Sequence, residues 1–197
     1  MSGHNKWSQI KTKKGATDQK RGNLFGKLLK AISIAAKTAP NPVRSRPVEG
    51  TASAAMGQLT SNGTNPQLNA RLKSAIEKAK ENNVPQENIE RAVNRASEEK
   101  DLEDVIIEAY GPEGVAMIIE AITNSTNRTI SEIRHILDEN GAKMATPGSV
   151  LWSFDKTENG WQPKFKQPVS QETTNKISQL TKALEEHNDA QKITVNI

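Results

Sequence analysis

Lysine and arginine are the residues near the start of this chain whose type and spacing could do chemistry. Lys6, Lys11, Lys13, Lys14, Lys20, Arg21, Lys27 and Lys30 stand against a single acid, Asp18, with Trp7 and Phe25 among them. A dense cationic stretch with a few aromatics can neutralise the phosphates of a polyanion and offer a ring to a base or sugar. The same charges also describe an ordinary solvated helix or arm, and Trp7 also fits a core position.

Other chemistries lack their residues. The chain has no cysteine, which removes disulfides, Cys-based zinc sites and thiol catalysis. There is no phosphate loop, no Gly-x-Gly-x-x-Gly, no His-Glu-x-x-His and no Gly-x-Ser-x-Gly elbow. His4, His135 and His187 are isolated from one another, without a second ligand at metal spacing. Acid pairs such as Glu98-Glu99 and Glu185-Glu186 sit in strongly charged stretches and read as solvated faces. The expectation is a binding protein with no metal, no cofactor and no catalytic residue.

The charge is unevenly placed. Residues 1–50 carry eleven Lys or Arg and two acids, while residues 51–197 carry sixteen and twenty-one. A basic head and a mildly acidic body suit a head on nucleic acid and a body facing protein or water. No run of about 18 apolar residues is present, so no membrane partner is expected, and the N-terminus lacks the apolar core of a signal peptide.

The elements that must position these cations follow from periodicity. From about Thr17 to Thr38, Leu24, Leu28 and Ile32, with Phe25 and Leu29, form an apolar stripe on a helix. Lys20, Lys27, Lys30 and Lys37 recur at spacings that gather them away from that stripe. Residues 40–66 hold four prolines and three glycines and read as a loop, in which Arg44 and Arg46 sit. Leu68, Leu72, Ala75, Ile76 and Ala79 mark a second helix, broken at Glu81–Pro85. Pro85 suits the first turn of a third, carrying Ile89, Ala92, Val93 and Ala96. Residues 1–98 thus read as a basic helical domain.

Beyond a charged connector the period changes. Val105–Ala109 and Val115–Ile122 read as a hairpin about Tyr110-Gly111-Pro112-Glu113-Gly114. Thr129 with Glu132 predicts a capping box for a helix that buries Ile130, Ile133 and Leu137 and stops at Asn140-Gly141. Val150–Phe154 and Trp161–Val169 are expected to pair as a hairpin spanning 150–169. A last helix carries Ile177, Leu180 and Leu184, and Lys192–Ile197 closes as a strand. The fold class is α+β: a helical domain at 1–98, then at 105–197 an α+β sandwich on a mostly antiparallel sheet.

Gly3-His4-Asn5-Lys6-Trp7, Lys13-Lys14 and the Asp18-x-Lys20-Arg21-Gly22-x-x-Phe25-x-Lys27 run resemble the YebC family, which includes the mitochondrial translational activator of cytochrome c oxidase. Further matches follow in order: Asn65-Pro66-x-Leu68, Asn83-Val84-Pro85, Asn88-Ile89-Glu90-Arg91-Ala92, Tyr110-Gly111-Pro112, Asn127-Arg128-Thr129, Glu132-x-Arg134-His135, Gly148-Ser149-Val150 and Leu184 to Asp189. The resemblance implies a helical domain followed by two α+β domains, with no cofactor. It implies either a ribosome-acting translation factor in contact with ribosomal RNA and transfer RNA, or a DNA-binding transcriptional regulator. The first is the leading expectation and the second its alternative. Location is then the bacterial cytoplasm or, for a processed organellar member, the mitochondrial matrix.

The chain departs from the pattern. Only about twenty residues, from Asp155 to Thr174, separate the Gly-Ser-Val stretch from the last helix, so the third domain is expected to be missing or reduced to a hairpin. Glu113 replaces a second glycine after Gly111-Pro112. The expected phosphate contacts are Lys6, Lys11, Lys13, Lys14, Lys20, Arg21 and Lys27, with His4 and Trp7 near a base or sugar. Arg128 and Arg134 form a second candidate site, against surface pairing with Glu132 or Asp138.

Overall fold

The computed structural model describes residues 4–37, 64–96, 101–157 and 160–197, the first fourteen of these as backbone alone. The chain divides into two compact units, Met1–Lys100 and Asp101–Ile197. Arg44, Arg46 and most of the expected loop at 40–66 lie outside the described residues, as do residues 97–100, which include the start of the connector.

The first unit holds three helices: α1 (His4–Lys37), α2 (Ala70–Glu81) and α3 (Gln86–Arg95). Helix α1 begins at His4, well before the apolar stripe. Leu28, Ile32, Ala35 and Ala36 bury against Leu72, Ala79, Val84, Ile89, Ala92 and Ala96. Leu24, expected in that stripe, is 41% exposed, and Leu68 precedes α2 and is 55% exposed. Leu24 lies a full turn beyond Leu28, the first fully buried member of the stripe.

Asn69 joins α1 to α2. Its carboxamide oxygen accepts from the Leu72 N–H at 3.0 Å, capping α2, while its amide donates to the Ala35 carbonyl at 2.7 Å. It thus satisfies one orphan donor and one orphan acceptor at two helix ends. At the other end of α2, Asn83 adopts φ 58°, Asn83 N–H reaches Lys80 O and Val84 N–H reaches Ala79 O. That is a Schellman stop with Asn in the left-handed position, and it seats Val84 in the core. Pro85 then caps α3 from outside the helix, one position earlier than its expected place in the first turn.

The second unit is a four-stranded antiparallel sheet in the order β3-β1-β2-β6, formed by β1 (Glu103–Tyr110), β2 (Ala116–Thr123), β3 (Lys143–Met144) and β6 (Ala190–Val195). Helices α4 (Thr126–Glu139) and α5 (Gln171–Glu186) cover one face. There Ile107, Ala109, Met117, Ile119 and Ala121 meet Ile133, Leu137, Ile177, Leu180 and Leu184. The alternate residues Ala116 and Ile118 face the other way and pack on Val150, Phe154 and Trp161. That second face is roofed by the hairpin of β4 (Phe154–Thr157) and β5 (Gly160–Pro163). The strand pattern of β2, buried on both faces, follows from this double cover.

Three local expectations change. Helix α4 begins at Thr126, with Ser125 as its cap, one turn before Thr129. Thr129 is instead buried inside the helix, where its hydroxyl is needed for an internal network. Val150–Phe154 is not one strand: Leu151–Ser153 forms a 3-10 turn and the strand starts at Phe154. The cause is Glu108, whose carboxylate accepts the N–H groups of Gly148, Val150 (2.6 Å) and Leu151 (2.9 Å), curling the segment around it. The return strand ends at Pro163, because beyond it Gln167 N–H donates to Asn196 O and the chain leaves the hairpin.

Candidate nucleic-acid interface

Lys20, Arg21 and Lys27 lie on α1, with Lys20 and Arg21 exposed and Lys27 half-buried. Arg21 stacks its guanidinium over Phe25, 5.1 Å from the ring centroid, which holds the cation on the helix surface without neutralising it. His4, Lys6, Trp7, Lys11, Lys13 and Lys14 occupy the first turns of the same helix, and their side chains lie outside the described residues.

A groove between α1 and α3 extends this surface. It encloses about 280 Å³ and is lined by Gly26, Leu29, Lys30 and Ser33 from α1 and by Asn88, Arg91, Ala92 and Arg95 from α3. Both sets recur at three- and four-residue intervals, so each is one helical face. Gly26 leaves the groove open: a Cβ added there would meet nothing within 4 Å. Ser33 is buried and donates to the Ala92 carbonyl at 3.2 Å, which fixes the floor. Arg91 and Arg95 are exposed, one turn apart, at its edge. Their far side is shared with Glu87, Glu90 and Asn94, so the positive lining faces α1 and a mixed surface faces outward.

Sequence reasoning missed Arg91 and Arg95. Their spacing was visible, but which side of α3 turns toward α1 depends on the burial of Ile89 and Ala92.

In the second unit the candidate cations part company. Arg128 is engaged internally. Its Nη2 lies 2.9 Å from Asp189 Oδ2 and 3.2 Å from Asn124 Oδ1, and its Nε is 3.9 Å from Glu132. The Asp189 side chain is only 4% exposed, and it also accepts from Thr129 Oγ1 at 2.6 Å. His187 Nδ1 accepts the Asp189 N–H at 3.2 Å, which leaves Nε2 to carry the proton toward Glu132 Oε2, 2.9 Å away. A buried carboxylate is tolerable only when paired and hydrogen-bonded, and Arg128 supplies the charge. This network ties the start of α4 to the turn between α5 and β6. Arg134 is exposed one turn and a half further on, its Nη2 3.7 Å from Met144 Sδ. Arg128 and Arg134 thus have different immediate partners, Asp189 and Met144.

Glu113 also has a local role. It holds φ 56° in the β1–β2 turn, a left-handed conformation that favours glycine. Its carboxylate accepts from Thr173 Oγ1 at 2.6 Å, Ser170 Oγ at 2.8 Å and Ser170 N–H at 3.3 Å. These bonds, with the Thr173 hydroxyl foremost, hold its pKa below the usual carboxylate range. The turn is thereby fastened to the N-terminus of α5. Among the described residues no cluster of three or more His, Asp or Glu is arranged to hold a metal ion, and no helix is long and apolar enough to cross a membrane.

Comparison with known proteins places these features. The family model of the TACO1/YebC N-terminal domain matches residues 5–45 and 56–99, and that of the TACO1/YebC second and third domain matches residues 102–158. A probable transcriptional regulatory protein of Thermoanaerobacter pseudethanolicus is 46% identical over 159 residues, covering 79% of this chain and 55% of that protein. One of Chloroherpeton thalassium is 45% identical over 159 residues, covering 79% and 54%. The chain spans about half the length of the curated relatives it matches. The crystal structure of a conserved hypothetical protein, Aq1575 from Aquifex aeolicus, superposes with a TM-score of 0.72 at 27% identity, covering 89% of each chain. On the matched domains and the shared fold, the chain belongs to the TACO1/YebC family.

Proposed function

We propose that this protein is a non-catalytic, nucleic-acid-binding regulator whose helical unit holds a phosphate backbone, with duplex DNA as its target. The observation that carries the reading is the groove between α1 and α3, where Lys30, Arg91 and Arg95 line an open, glycine-bordered cleft. Lys6, Lys11, Lys13, Lys14, Lys20, Arg21 and Lys27 extend it along α1, and His4 and Trp7 stand near a sugar or base. Each cation placed on a phosphate releases condensed counterions, which supplies affinity without sequence. Phosphate contacts set register, and no base-reading side chain is assigned. DNA is preferred because the curated relatives are named probable transcriptional regulatory proteins. Arg134 belongs to the secondary surface, while Arg128 is read as a structural residue. The β4–β5 hairpin is read as a reduced form of the family's third domain.

A ribosome-directed translation factor, touching ribosomal RNA and transfer RNA, is the second reading. The ordered motif matches to the family of the mitochondrial translational activator favour it. Competition at matched salt separates the two: duplex DNA displacing structured RNA supports the first, and the reverse supports the second. Changing Lys13, Lys14, Lys20 and Arg21 together to Gln lowers the steepness of log affinity against log salt by about 3–4, at roughly 0.9 per phosphate. An unchanged slope removes α1 from the mechanism. Arg91→Gln with Arg95→Gln tests the groove in the same assay.

A further inference from the structure

The chain has seven aromatic residues, and three of them lie together and exposed on the second unit. Trp152 is 61% exposed and Phe165 47% exposed, with ring centroids 5.7 Å apart and planes tilted by 40°. Adjacent exposed aromatic rings, unlike a lone exposed apolar residue, can mark a contact surface. The rings are also fixed. Trp152 Nε1 and the Tyr110 hydroxyl both donate to the Ser149 carbonyl, each at 2.7 Å. Lys164 N–H donates to the Ser153 carbonyl at 3.0 Å, bringing Phe165 to Trp152. Beneath them Glu108 gathers the N–H groups of Gly148, Val150 and Leu151. The polar edge of the indole is satisfied at Ser149, and most of the ring stays exposed. Lys164 and Lys166 flank Phe165 in sequence, and Lys143 is registered opposite Tyr110. Lys164 also has Asp155 Oδ1 at 3.5 Å.

We propose that Trp152 and Phe165 form a stacking platform for unpaired bases of a single-stranded nucleic acid, with Lys164, Lys166 and Lys143 on its phosphates. A preordered aromatic face with adjacent cations suits a base and its backbone, since every base has a π-face. A purely apolar partner would desolvate those ammonium groups without offering them an acceptor. The inference deepens the nucleic-acid reading and rests on it only for the choice of polymer. Duplex affinity reports on the helical unit and single-strand affinity on the platform, so the two fail separately.

The test uses the full chain and a fluorescein-labelled oligothymidylate of about twenty nucleotides, read by anisotropy in about 0.3 M salt to subdue backbone attraction. Trp152→Ala is expected to weaken binding about tenfold or more, and Phe165→Ala less, whereas Trp152→Phe stays within about threefold of the parent. Affinity for a fully paired duplex of the same length stays unchanged in all three. An oligouridylate arm assigns the strand to RNA or DNA. Because Phe165 lies outside the core, Phe165→Ala remains informative if Trp152→Ala melts early. Parent-like single-strand affinity in both alanine variants overturns the proposal. So does a parent dimer in sedimentation velocity that Trp152→Ala dissociates without loss of oligonucleotide binding, because the patch is then a contact between copies.

Discussion

Replacing Glu108 tests how the second unit holds the loop that carries Trp152. Glu108 sits in mid-strand, is buried, and its two carboxylate oxygens accept three backbone N–H groups, from Gly148, Val150 and Leu151. Hydrogen bonds to a charged acceptor contribute about 1.5–3 kcal/mol each, and they do not add fully. Glu108→Ala removes the acceptor and strands the donors, of which Val150 is fully buried. The expected loss is about 3–5 kcal/mol, within the range for breaking a buried network. Glu108→Gln retains one carbonyl oxygen but turns an amide toward the remaining donors, for a loss of about 2–3 kcal/mol. Glu108→Leu should not recover stability, because the orphaned groups are backbone and cannot be replaced with their partner. Urea unfolding followed by tryptophan fluorescence suits the measurement, since Trp152 and Trp161 both lie in this unit. For a unit of this size 1 kcal/mol moves the melting temperature by about 4–8 °C, so Glu108→Ala should fall by about 12 °C or more. A loss under about 1 kcal/mol for Glu108→Ala would refute the role assigned to the carboxylate.

Two further outcomes follow from the same unit. A Cβ added at Gly111 would lie 2.6 Å from Ile177 Cδ1, so Gly111→Ala should cost about 1–3 kcal/mol, and Ile177→Val in the same chain should recover part of it by removing that methyl; additive losses in denaturant titration would reject the contact. The folded-state pKa of Glu113 is lowered, so its stabilising contribution is complete above the usual carboxylate range and is lost as pH falls through the lowered value. Glu113→Gln should therefore flatten the acid limb of the stability–pH curve, and an identical acid limb in the variant would show that the tether to Ser170 and Thr173 does not form.

The amino-acid sequence by itself determined the elements whose signals are local. Helical spacing of Leu28 and Ile32, the Asn83-Val84-Pro85 break, the Gly111-Pro112 turn and the Asn140-Gly141 stop each depend on a few neighbouring residues, and α1, α2, α3, the β1–β2 hairpin and α4 follow from them. Tertiary structure decided whatever required two distant segments to meet. A glutamate in a strand reads as solvent-facing, yet Glu108 is buried because the backbone of 148–151 supplies what water would otherwise have supplied. Arg128 reads as a candidate contact or a surface partner of Glu132 or Asp138 until Asp189, 61 residues away, comes within 2.9 Å. Arg91 and Arg95 become one wall of a groove only when α3 turns Ile89 and Ala92 into the core beside α1. Local pattern fixes which backbone conformation is cheapest, but the partner of a buried charge is set by packing, and packing is a property of the whole unit.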